Sequence, residues 1–163
     1  MRWLVDLSAS PVEPTLSPTF VVWPETSVVP QVLQDPSILA EIMGFLPGDA
    51  PLVVGTQRPE QGRNGGEDWY NSLFVVNGAG SIDAIYDKHH LVPFGEYLPL
   101  QGWLESIGVN QLAGRSGGFA SGPGPQVVSA PGVPSFGALI CYEAVFPGEM
   151  PRGDARPSML LQI

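Results

Sequence analysis

Glycine and proline interrupt this chain more than any other feature: 20 glycines and 18 prolines fill 38 of the 163 positions. They gather between short apolar runs and show no period, so they read as loop punctuation and not as a low-complexity tract. Neither residue is at home inside a helix or a central strand, which leaves short elements joined by turns as the fold open to the chain. A hydrophobic content of 44% supplies a core for one domain.

Charge removes one class of function. A net charge of -9 with 7 scattered lysines and arginines is the wrong surface for nucleic acid, which needs clustered cations against phosphate. No apolar run approaches the roughly 20 residues that span a bilayer. The opening residues, MRWLVDLSAS, lack the basic start and continuous apolar core of a signal peptide.

Periodicity gives a coarse element order. Residues 1–9 show weak helical spacing with no N-cap before them, as the tail of a longer helix would. TFVVW at 19–23 is a β-branched and aromatic strand closed by Pro24. From 29 to 46 the spacing predicts a helix, with Asp35-Pro36 as cap signal and Ile38, Leu39, Ile42, Met43 and Leu46 on one face. PLVVGTQ is a strand. After a glycine-rich loop, YNSLFVV and IDAIYDK flank an NGAGS turn as a β-hairpin whose second strand ends in Lys88. A short helix is expected at 101–107, a long flexible loop at AGRSGGFASGPGPQ, and strands at QVVSAP, FGALICYE and MLLQI. This is a mixed α/β order with helices packing on sheet faces. It begins within a helix and stops within a strand, the pattern of a fragment.

The chain has one cysteine, Cys141, in GALICYEAVFP. It can form no internal disulfide and no metal site built from cysteine pairs. A lone cysteine is most often a small buried hydrophobe, so its neighbours decide its meaning. Glu25 follows VVWP, Lys88 ends a hairpin strand, and Cys141 follows GALI. Each is a reactive or charged group at a strand terminus, where α/β sheets assemble sites. A thiol nucleophile needs a base for its proton and a cation for the tetrahedral oxyanion, roles a glutamate and a lysine can fill. Taken singly, Glu25 is equally a turn cap, Lys88 a solvated strand end and Glu143 a surface carboxylate. The adjacent His89 and His90 would point to opposite faces of a strand and have no third ligand nearby, so no metal and no cofactor are expected. Trp23, Phe94 and Tyr97 read as packing.

Three stretches, VVWPETSVVP, YDKHHLVPFGEYLPL and LICYEAVFP, in that order, resemble the catalytic blocks of the nitrilase (carbon-nitrogen hydrolase) superfamily, specifically its branch that acylates lipoproteins. The likeness runs over nearly the whole chain, with FASGPGPQVV and the closing LLQI also fitting, although Gln162 stands where the family commonly has asparagine. The resemblance implies an αββα sandwich, incomplete at both ends, with residues 1–163 as a partial catalytic domain. It implies Glu25 as general base, Lys88 as oxyanion-stabilising cation and Cys141 as nucleophile, with Glu96, Tyr142 and Glu143 in support. It implies acyl transfer from a phospholipid through a Cys141 thioester to the N-terminal cysteine of a diacylglyceryl lipoprotein. The parent would sit in a bacterial inner membrane, held by helices absent from this chain, with the catalytic domain on the periplasmic side. The rivals are a soluble amidase using the same three residues with water as second nucleophile, and an inactive truncated module.

Overall fold

The computed structural model describes residues 2–10, 18–62, 65–97, 118–146 and 156–163. The short helix expected at 101–107, and the first part of the long loop, lie outside them. Among the described residues the order is α1 (Arg2–Ala9), β1 (Val21–Val22), α2 (Pro30–Gln34), α3 (Pro36–Phe45), β2 (Leu52–Gln61), β3 (Glu67–Val76), β4 (Ile82–Asp87), β5 (Val127–Ala130), β6 (Val133–Leu139) and β7 (Met159–Gln162).

The helical stretch expected over 29–46 is two helices. Asp35 adopts extended backbone (φ -109°, ψ 103°) between them, as a residue before proline must. Its carboxylate accepts the Ser37 amide at 2.9 Å and the Ser37 hydroxyl at 2.6 Å, bonds that lower its pKa below the usual carboxylate value. Asp35 thus caps α3 while ending α2. The expected hairpin of YNSLFVV and IDAIYDK is present as β3 and β4, and a second, longer hairpin precedes it. β2 and β3 pair from Leu52 opposite Val76 to Gln61 opposite Glu67, taking in residues that read as loop. Pro59 is tolerated within β2 because β1 pairs only with Leu52 and Val53, so no neighbour needs its missing N–H.

Two sheets result, one ordered β1-β2-β3-β4 and one ordered β5-β6-β7. Alternation decides what each face meets. Leu52, Val54, Phe74 and Val76 face Trp23, Val32, Leu39, Ile42 and Met43 of the helical layer. Val53, Leu73, Val75 and Tyr86 point the other way, onto Val128, Val133, Phe136, Ala138 and Ile140 of the second sheet. The first sheet is therefore buried on both faces, which is why its strands read as unbroken apolar runs. Burial of each such large side chain is worth about 1.5–3 kcal/mol. On the second sheet, β7 alternates and leaves Leu160 47% exposed on the outer face. Among the described residues the architecture is a helical layer on two face-to-face sheets, the α/β sandwich class anticipated. Trp23 packs at 1% exposure as expected, but Phe94 does not: it is 56% exposed.

Candidate active site

Proline ends β1 at the right place. Trp23 donates its amide to Val53 at 2.8 Å and Ser27 donates to Gly55 at 3.1 Å; Pro24 between them has no amide to give. Glu25 is carried off the strand end across β2 at Gly55. A Cβ there would sit 2.7 Å from the Glu25 Cα and 2.8 Å from the Ile163 Cδ1. Only glycine allows β1 and β7 to approach β2 this closely.

Lys88 follows the last residue of β4, where its amide still donates to Asn71 at 2.8 Å and its carbonyl accepts from Gly122 at 2.9 Å. Its side chain is fully buried. A buried ammonium needs a partner, and Glu96 provides it: Nζ donates to Oε1 at 2.8 Å. The other Glu96 oxygen accepts the Val92 amide at 2.9 Å. Upstream, Arg58 grips Asp87 with Nε at 3.2 Å and Nη2 at 2.8 Å, and the Ser72 hydroxyl adds a bond of 2.6 Å. That fork fixes the strand end that delivers Lys88. Burial opposes the charge on Arg58, but its bonds to Asp87 and Glu60 outweigh that, and its pKa is raised.

Asn71 joins the two acids. Its Nδ2 donates to Glu25 at 2.6 Å and to Glu96 at 3.2 Å. Glu25, Asn71, Glu96 and Lys88 thus form one hydrogen-bonded chain. Sequence reasoning missed Asn71, although the alternation of β3 was a usable signal. It shares a face with Leu73 and Val75, and a polar residue on a buried face calls for a partner.

Cys141 begins the short turn that follows β6. It is exposed and adopts φ +50°, a left-handed conformation rare for a residue with a side chain. Strand β7 holds it from both sides. Its amide donates to the Ile163 carbonyl at 2.8 Å, and its carbonyl accepts from Gln162 Nε2 at 2.9 Å. Gln162, singled out in the sequence, thus bonds the cysteine carbonyl.

Glu143 is no surface carboxylate: it is 2% exposed. Its Oε1 accepts the Tyr86 hydroxyl, both His89 nitrogens N and Nδ1, and the His90 amide at 2.9–3.1 Å, while Oε2 accepts the Ile140 amide at 2.8 Å. One carboxylate therefore ties the Cys141 turn to the segment just after Lys88. His89 and His90 lie beyond the end of β4, not on a strand, with rings 6.1 Å apart and nearly perpendicular. His90 stacks on Phe146 at 3.7 Å. Tyr142, 43% exposed, stands edge-on to Phe146 at 5.3 Å and takes no part in the polar chain. Beside this turn, His89, His90, Leu91, Tyr97, Phe119 and Ser121 line an open pocket of about 410 Å³. No group of three or more histidine, cysteine or acidic side chains suited to a metal occurs among the described residues.

Helices on a double sheet, with a thiol, a paired ammonium and linked carboxylates at neighbouring strand ends, define the class of protein. The model of the carbon-nitrogen hydrolase family matches residues 8–151, and the chain belongs to that family. An apolipoprotein N-acyltransferase of Bradyrhizobium diazoefficiens is 39% identical over 147 residues, covering 89% of this chain and 27% of that protein. One from Sinorhizobium fredii is 44% identical over 144 residues, covering 86% of this chain and 27% of that protein. A mutant of the Nesterenkonia AN1 amidase from the nitrilase superfamily shares the fold at a TM-score of 0.53 and 19% identity, over 91% of this chain and 51% of that one. The chain spans less than a third of the length of the curated relatives it matches. No described helix is long and apolar enough to cross a membrane.

Proposed function

We propose that the chain is part of the catalytic domain of an apolipoprotein N-acyltransferase, with Cys141, Glu25 and Lys88 as its reacting groups. The observation that carries this reading is the Lys88–Glu96–Asn71–Glu25 chain of bonds, which joins the cation to the acid, while Glu143 ties the turn of the exposed cysteine to the segment after Lys88. Similarity to relatives named N-acyltransferases favours acyl transfer over amide hydrolysis.

In this mechanism Glu25 takes the thiol proton as the Cys141 sulfur attacks the acyl carbonyl of a phospholipid ester. A C–S bond forms and the carbonyl oxygen becomes an oxyanion. Lys88 and a backbone donor near Tyr142 stabilise it, the kind of contribution worth about 100-fold or more per donor. The C–O bond then breaks, Glu25 returns the proton to the leaving alcohol, and a thioester remains. The amino group of the lipoprotein's N-terminal diacylglyceryl cysteine attacks next. Its nitrogen forms the amide bond, the C–S bond breaks, and Glu25 carries the proton from nitrogen to sulfur. Glu96 keeps Lys88 paired throughout, and Glu143 holds the cysteine turn. The parent protein acts at the periplasmic face of the inner membrane.

Incubating the intact parent with phospholipid and mapping peptides by mass spectrometry tests this. Acyl mass on Cys141, released by hydroxylamine and absent in Cys141→Ala, is the expected result. Persistence of that labile acyl group elsewhere in Cys141→Ala removes Cys141 from the role.

A further inference from the structure

Asn71 is 4% exposed on the face of β3 that carries Leu73 and Val75. An apolar residue would suit that face, and burying an amide there costs free energy unless its ends are used. Nδ2 gives its hydrogens to Glu25 and Glu96, whereas Oδ1 is buried without a hydrogen-bond partner among the described residues. The amide cannot simply turn over, because Oδ1 would then face two carboxylate oxygens. Covalent geometry keeps Oδ1 within about 5 Å of the Glu25 oxygen that Nδ2 touches. A fixed, unsatisfied acceptor therefore lies beside the base.

We infer that Asn71 selects the second substrate as an amine: Oδ1 accepts one N–H of the attacking amino group while Glu25 takes the other proton. This rests on the acyl-transfer reading above. A neutral primary amine attacks with its lone pair and carries two N–H groups. As the C–N bond forms and the C–S bond breaks, one proton passes through Glu25 to the Cys141 sulfur and the other stays on nitrogen, held by Asn71. A thiol or an alcohol has a single hydrogen, which Glu25 takes, and offers Asn71 nothing. A buried acceptor left unpaired penalises the wrong nucleophile. Asn71 thereby favours an amine over an alcohol or a thiol, though not over water, and through Nδ2 positions Glu25 for both half-reactions.

The test uses the intact parent protein, loaded as its thioester with phospholipid and freed of donor. Decay of the thioester is followed with a small primary amine and, in parallel, with a small thiol. Asn71→Ala should slow decay by the amine about tenfold more than decay by the thiol, the loss of one hydrogen bond in a dry site. Should Asn71→Ala fail to fold, Asn71→Leu carries the same ratio test in a side chain of similar volume. Equal slowing with both nucleophiles overturns the inference and leaves Asn71 only the holding of the carboxylates. Failure of the unsubstituted protein to form any thioester would instead overturn the acyl-transfer reading beneath it.

Discussion

The two sides of the candidate site are held in opposite ways. At the ends of the first sheet, Lys88 is fully buried and its charge is matched by Glu96, which shares Asn71 with Glu25. At the end of the second sheet, Cys141 is exposed and, among the described residues, is held by its backbone, through Ile163 and Gln162, in a left-handed conformation. Charged groups are fixed by side-chain bonds in a partly buried place, and the thiol by the path of the chain. Glu143 couples the two, since its acceptor oxygens serve Ile140 on one side and Tyr86, His89 and His90 on the other.

Removing that coupling has the largest expected effect. Glu143→Ala leaves five donor groups facing an apolar void, and the loss should be about 3–5 kcal/mol in a denaturant melt. Glu143→Gln, which keeps one acceptor oxygen, should lose clearly less. A cost below about 1 kcal/mol for the alanine variant would show that the two sides are held independently.

Lys88 comes next, and here stability and chemistry separate. Lys88→Ala should slow acylation of the intact parent by about 100-fold or more. It should also lower stability, because partly buried Glu96 is left without its cation. Lys88→Met combined with Glu96→Gln removes both charges, so the melt should recover while acylation does not. Recovery of both would mean that Lys88 serves packing alone.

How much of this was legible depended on where the information sat. Glu25, Lys88 and Cys141 stand at strand ends, where local reading singled them out, whereas Glu96, Tyr142 and Glu143 entered only through the family resemblance. Tyr86, Asn71 and Gln162 lie inside strands and gained their roles from what crosses the sheet or the gap between sheets. Such partners are separated by 21 to 57 positions, and although alternation could flag Asn71 as a buried polar residue, no local pattern names the partner it meets. The same division holds for the fold. Apolar β-branched runs placed the buried strands and Asp35-Pro36 gave the cap, yet the separate helix α2 before it and the pairing of β2 with β3 through Gln61 and Glu67 were missed. Cap chemistry competes with helical periodicity at Asp35, and a polar strand end looks like a loop when read alone.

The smallest expected effect sharpens the contrast most directly. If the chain path holds Cys141, the conformation at φ +50° carries a strain of about 1 kcal/mol that glycine does not feel. Cys141→Gly should therefore be more stable than Cys141→Ala by a few tenths of a kcal/mol, what is left of that strain once the roughly 0.4–1 kcal/mol cost of glycine's freedom in the unfolded chain is subtracted. Neither variant keeps the thiol, so the difference isolates backbone strain from chemistry. Buried Lys88 offers no such gain, because its side-chain pairing with Glu96 does the holding. Equal melting of Cys141→Gly and Cys141→Ala would mean that the turn relaxes once the thiol is gone. The left-handed geometry would then belong to the cysteine side chain and not to the grip of Ile163 and Gln162.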